Sequence, residues 1–240
     1  MNRDNQLILV MDEVDAINFH KKGYVKPGCT VIPYNSEFLP ESDPLIRQLR
    51  GSNLLAPKNV LIKSPFGPEY YLLEEATRKV HIDYFRKYSM ICGLLGATSV
   101  KVKTCEINKE KTKTEGGADV DVPGNLGGKG SVKAACDSNT EILSQLEDTY
   151  EKKTDIAEAE KLMFEYGLDL DSDLKELVAF LKRGGTIKSR DVKLGLSQSL
   201  KTSFDLAADI KPYAGINIKL QFDREKELKR TYTLTLSLQF

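Results

Sequence analysis

A chain of 240 residues, 40% hydrophobic and 29% charged, has the make-up of a soluble globular protein with room for one large domain or two small ones. Lysine plus arginine equals aspartate plus glutamate at 35 each, which excludes a global field that would draw nucleic acid or anionic lipid to the chain. No segment approaches the roughly 18 apolar residues of a membrane helix, and the apolar run near the start is too short for a secretory signal, so an intracellular, cytoplasmic protein is expected.

Residues 6 to 12 and 28 to 34 read as short strands, the first ending in an acidic turn. In SDPLIRQLRG, Ser42 and Asp43 offer caps, Pro44 takes the first helical position and Gly51 a stop, which predicts a short helix. Asn59 to Lys63 follows as a strand between Pro57 and Pro65. Leu73, Ala76, Val80, Tyr84, Tyr88, Ile91 and Leu95 then recur at spacings of three or four, which predicts a long core helix, begun by Glu74 and Glu75 and ended by Gly93 and Gly96.

At Ser99 the period changes to two, with Val100 and Val102 on one face and Lys101 and Lys103 on the other. Lys109 to Gly130 is polar and glycine-rich and reads as a long connection or a hairpin tip. Three short helices are expected over 138–183: Ser138 with Glu141 and Asp155 with Glu158 have capping-box spacing, and Leu174, Leu177, Val178 and Leu181 form a stripe that Gly184 and Gly185 end.

The last fifty residues alternate most persistently. Val192, Leu194, Leu196, Leu200, Phe204, Leu206, Ala208 and Ile210 fall on even numbers, while Lys193, Ser197, Ser199, Lys201, Ser203 and Asp205 lie between them. Ile216, Ile218, Leu220 and Phe222 repeat the rule, as do Tyr232, Leu234, Leu236, Leu238 and Phe240. Each stretch is expected to be a strand with a dry face and a wet one, the wet face rich in hydroxyls from Ser197, Ser199, Ser203, Thr231, Thr233, Thr235 and Ser237.

These elements predict an α+β fold: an antiparallel β-sheet built largely from the C-terminal half, packed against a long central helix, with a short-helix insert between strands. An N-terminal α/β portion over 1–96 and an amphipathic β portion over 97–240 are expected to fold as one cooperative domain. Cys29, Cys92, Cys105 and Cys136 contain no CxxC pair, so reduced, structural thiols are expected.

The sharpest local motif, Leu7-Ile8-Leu9-Val10-Met11-Asp12-Glu13, resembles the Walker B strand of P-loop ATPases. That resemblance implies Asp12 as a magnesium partner and Glu13 as the residue polarising an attacking water, and so a divergent nucleotide hydrolase. Its companion, Gly124 to Ser131, departs from GxxxxGK[ST] in spacing and follows the strand instead of preceding it. With His20 and His81 as the two histidines, neither a zinc pattern nor a hydrolase triad has its material, so no metal and no cofactor are expected. Lys101, Lys103, Lys109, Lys111 and Lys113 form a basic run without interleaved arginine or aromatic residues, which fits a solvated tip and not a nucleic-acid surface.

The leading expectation is a non-enzymatic binding or assembly protein, a homo-oligomer or one with a protein partner, acting through its amphipathic sheet. Val192, Leu194, Leu196, Phe204, Leu206, Leu220, Phe222, Leu234 and Leu236 are the candidates to face a partner or a membrane. The alternative is a pore-forming effector with conditional membrane association, whose amphipathic hairpins would be Ser99 to Ala135 and Arg190 to Pro212. In architecture the chain is similar to pore-formers of the gasdermin or perforin type, soluble α+β proteins that convert segments into amphipathic hairpins. The last strand, ending on Phe240, also resembles the closing strand of outer-membrane barrels, a family that the expected helices argue against.

Overall fold

The computed structural model describes residues 6–35, 39–108, 141–195, 203, 206 and 231–240. The fold is α+β, with two four-stranded sheets and a long helix packed against strands. The chain divides into two compact units, Met1–Asp83 with Ser197–Glu225 and Tyr84–Leu196 with Lys226–Phe240.

In the first unit, β1 (Leu7–Met11) leads through α1 (Glu13–Lys21) to β2 (Cys29–Pro33), and the two strands pair in parallel. Next come α2 (Pro44–Gly51), β3 (Val60–Lys63) and β4 (Tyr70–Leu72), giving the sheet order β2-β1-β3-β4 with antiparallel pairs after the first. All five residues of β1 are buried, as a central strand with both faces covered requires. On one face, Ile8, Val10, Ile32 and Leu61 join Ile46 and Leu49 of α2 in a common core. Asp43 caps α2 by accepting from the Leu45 backbone N–H at 2.8 Å, with Pro44 next, as expected from the sequence.

The parallel β1-α1-β2 unit departs from expectation, since the sequence suggested only an acidic turn after β1. Ala16 and Phe19 bury one side of α1 while Val14 and Ile17 stay exposed on the other, so apolar residues ring the helix and no single stripe marks it.

The 22-residue helix α3 (Leu73–Leu94) matches the predicted long helix, and Leu73, Ala76, Val80, Tyr88 and Ile91 are buried along it. The division between the units falls within it, after Asp83. The second unit continues with β5 (Ser99–Asn108), a helical turn at 141–144, β6 (Glu147–Thr149), α4 (Ile156–Glu165), α5 (Ser172–Lys182), β7 (Ser189–Leu194) and β8 (Thr231–Gln239). Its sheet has the order β6-β5-β8-β7 and is antiparallel throughout. Strand β6 interrupts the expected run of three helices and pairs with the start of β5. The other two helices stand where predicted, α4 capped by Asp155 and α5 by Asp171.

Val102 and Val192 flank Leu236 in register, and Leu194 flanks Leu234, so the dry faces of β5, β7 and β8 coincide. A bulge between Val102 and Thr104 shifts the register, after which Cys105 lies opposite Leu234. Strand β7 ends at Leu194, and the alternating segment beyond it requires a correction: Ser203 and Leu206 are helical. Ser203, expected on a wet strand face, is buried. The second expected hairpin therefore does not run unbroken from Arg190 to Pro212. Of the first expected hairpin, Ser99–Asn108 is β5 and 109–135 lies outside the described residues.

Candidate functional site

Four of the nine residues that the sequence offered to a partner or a membrane lie in the interior. Val192, Leu194, Leu234 and Leu236 are buried, Leu234 and Leu236 at 0% exposure. Arg190, in register with Leu238, reaches α5, where its guanidinium donates to Asp173 Oδ1 at 2.6 Å and Glu176 Oε2 at 2.8 Å. Those two carboxylates hold the Arg190 charge and favour its protonated form. Helix α5 thus lies beside this sheet and buries Leu174, Leu177 and Val178. Leu206 is half-buried, and its Cδ2 lies 3.4 Å from the position a Cβ on Gly28 would occupy. Leu196, Phe204, Leu220 and Phe222 lie outside the described residues, as do Lys109, Lys111 and Lys113. Lys101 is exposed, and Lys103 pairs with Asp191 at 2.7 Å.

Asp12 is the N-cap of α1: its Oδ1 accepts from the Asp15 backbone N–H at 2.8 Å, a task that itself accounts for an acid at the end of β1. Glu13 stands in the first turn of α1, its backbone N–H donating to Asn35 Oδ1 at 2.9 Å. Residues 124–131, the candidate companion loop, lie outside the described residues. Buried His81 donates from Nδ1 to the Thr77 carbonyl at 2.6 Å. Among the described residues, no group of three or more His, Cys, Asp or Glu is placed to hold a metal ion, and no helix is long and apolar enough to cross a membrane.

A second polar cluster lies along α3. Tyr84 donates to Asp171 Oδ2 at 3.3 Å, and the Tyr88 hydroxyl one turn on is buried with no hydrogen-bond partner among the described residues. An unsatisfied buried hydroxyl costs about 1–3 kcal/mol, so Tyr88→Phe is expected to raise the unfolding free energy by about 1 kcal/mol in a denaturant titration. A loss of stability would show that the hydroxyl is bonded.

Burial pushes the Cys29 thiol up to about 12 and raises Cys92, Tyr84 and Tyr88 further, with Asp171 adding to the last three. In the unfolded chain the thiols titrate near 9.0 and the phenols near 10.0, so deprotonation favours unfolding. The stability these groups contribute is complete below pH 9.0 and is lost as pH rises toward their folded values. The denaturation midpoint should fall between pH values of about 8 and about 10.5, and an unchanged midpoint would contradict the burial of these groups.

What sequence reasoning missed is a surface groove beside α1. Ala16, Ile17, Val31 and Pro33 line it with apolar side chains, Glu13 stands in the first turn of α1, and His20 and Lys21 in the last. Its volume is about 300 Å³. Val14 and Ile17 are 68% and 48% exposed, and β2 is the outer strand of the sheet beneath them. Asp12 three residues before Asp15 was the available sequence signal, a variant cap that starts a helix and so turns Val14 and Ile17 outward together. No protein-family model, curated protein or solved structure matches the chain.

Proposed function

We propose that this chain is a non-enzymatic, cytoplasmic binding protein that assembles with further copies of itself through the surface of α1. The observation that carries this is the exposure of Val14 and Ile17, three residues apart on one helix face, beside a groove with an apolar floor. The buried strip of the C-terminal sheet supplies the scaffold and not the contact. Free, buried Cys29 and Cys92 fit a reducing compartment. The test is size-exclusion chromatography with light scattering on the wild-type chain and on Ile17→Asp. Assembly of the wild type and its loss in the variant are expected; equal masses for the two would remove α1 from the contact.

A second function, membrane permeabilisation, is supported by a different observation. Strands β5 and β8 are ten and nine residues long and pair antiparallel, which meets the roughly nine to eleven residues of a bilayer-spanning strand. Insertion would require the dry face of β8 to leave the protein interior. Release of dye from anionic liposomes would support this function, and retention of dye under every activating condition would reject it.

A further inference from the structure

Among the described residues, the most exposed large hydrophobic side chains are Phe164 and Leu170, at 77% and 79%. They flank the turn from α4 to α5, in the sequence Phe164-Glu165-Tyr166-Gly167-Leu168-Asp169-Leu170. The turn is built, not frayed. Gly167 takes a left-handed φ of +65°, which favours glycine, and the backbone N–H of buried Leu168 donates to Met163 O at 2.7 Å. Lys87 lies over the Tyr166 ring at 5.1 Å, and Asp171 caps α5. Two apolar side chains are thus held outward on a fixed turn, with Glu165 and Asp169 between them in sequence.

The groove beside α1 has the complementary chemistry. Its floor is apolar, and at the C-terminal end of α1 stand His20, Lys21 and exposed Lys22, with Glu13 at the other end. Resting on the self-assembly proposed above, we propose that the occupant of this groove is the α4–α5 turn of a second copy. Phe164 enters between Ile17 and Val31, Leu170 covers Val14, and Glu165 and Asp169 face Lys21 and Lys22. The contact joins two different surfaces, so each bound pair keeps one free turn and one free groove. Assemblies of this kind grow into rings or open chains and do not stop at a symmetric dimer.

The experiment uses two variants of the full chain: Phe164→Asp with Leu170→Asp, which spoils the turn, and Ile17→Asp, which spoils the groove. All three side chains are exposed, so unchanged circular dichroism and melting are expected for both. Each variant alone should lose self-association by about tenfold or more, as truncated anchor residues do. Mixed together, they should form a one-to-one heterodimer and nothing larger, because each retains the surface the other lacks. Light scattering of the mixture reads this directly. A wild-type chain that assembles while the turn variant assembles equally well would overturn the inference and leave self-assembly standing, with some other group in the groove. Two monomeric variants that fail to pair would overturn it as well. A wild-type chain that stays monomeric would instead defeat the underlying self-assembly.

Discussion

Leu236→Ala is expected to lower the unfolding free energy by about 2–5 kcal/mol, the range for truncating a fully buried leucine. Leu236 is 0% exposed on β8, the strand between β5 and β7, and stands between Val102 and Val192. Removing its side chain leaves a cavity that two paired neighbours cannot close without breaking register. Thr235→Ala, on the half-exposed opposite face, is the matched control and should cost under about 1 kcal/mol. Urea titration of both variants checks this, with the midpoint moving and the slope unchanged. If Leu236→Ala cost no more than Thr235→Ala, the strip would not be covered by the chain itself in solution, and a bilayer or partner would regain its claim on these strands.

Gly93→Ala should destabilise, although alanine is the better helix former by about 1 kcal/mol. A Cβ at Gly93 would lie 2.9 Å from Cγ and Cδ1 of Tyr150 and 3.1 Å from Cδ2, closer than packed carbons approach. The ring has little freedom to withdraw: its hydroxyl is 2.9 Å from Ser89 Oγ and donates to Asp148 Oδ2 at 3.4 Å. Overpacking of this kind costs about 1–3 kcal/mol, which outweighs the gain in propensity and leaves a net loss of about 1 kcal/mol. In a Tyr150→Ala background the same substitution should become stabilising by up to about 1 kcal/mol. Thermal or urea unfolding of the four proteins in the cycle tests the reversal. The same sign in both backgrounds would show that the ring does not fix glycine at this position.

Much of this architecture was legible because the residues that mark it act locally. Asp43-Pro44 starts α2, the three-and-four spacing from Leu73 to Leu95 traces α3, and Asp155 caps α4, each within a single turn of chain. The bulge in β5 also leaves a trace, since its apolar residues pass from even positions, Val100 and Val102, to Cys105. Ser203 and Leu206 were misread as strand residues for a definite reason. Leu196, Leu200, Phe204 and Ala208 are spaced by four, a multiple of two that also places residues on one side of a helix, so alternation cannot separate the two there. Ser203 and Leu206, three apart, are helical, which their alternation did not reveal.

The candidate site was hidden for the opposite reason. A helix that buries Ala16 and Phe19 while exposing Val14 and Ile17 has no apolar stripe to detect, and its exposure to solvent is decided by the sheet beneath it. Phe164 and Leu170 were equally silent. Nothing in a sequence distinguishes an apolar residue held outward by a neighbouring turn from one packed inward, because the distinction lies in where Leu168 and Met163 anchor the backbone.

The central claim is that this chain assembles with itself, and sedimentation equilibrium of the wild-type protein over a wide range of concentrations tests it most directly. Self-assembly predicts an average mass that rises with concentration above the 26.9 kDa of a single chain. A mass that stays at 26.9 kDa at every concentration would contradict it.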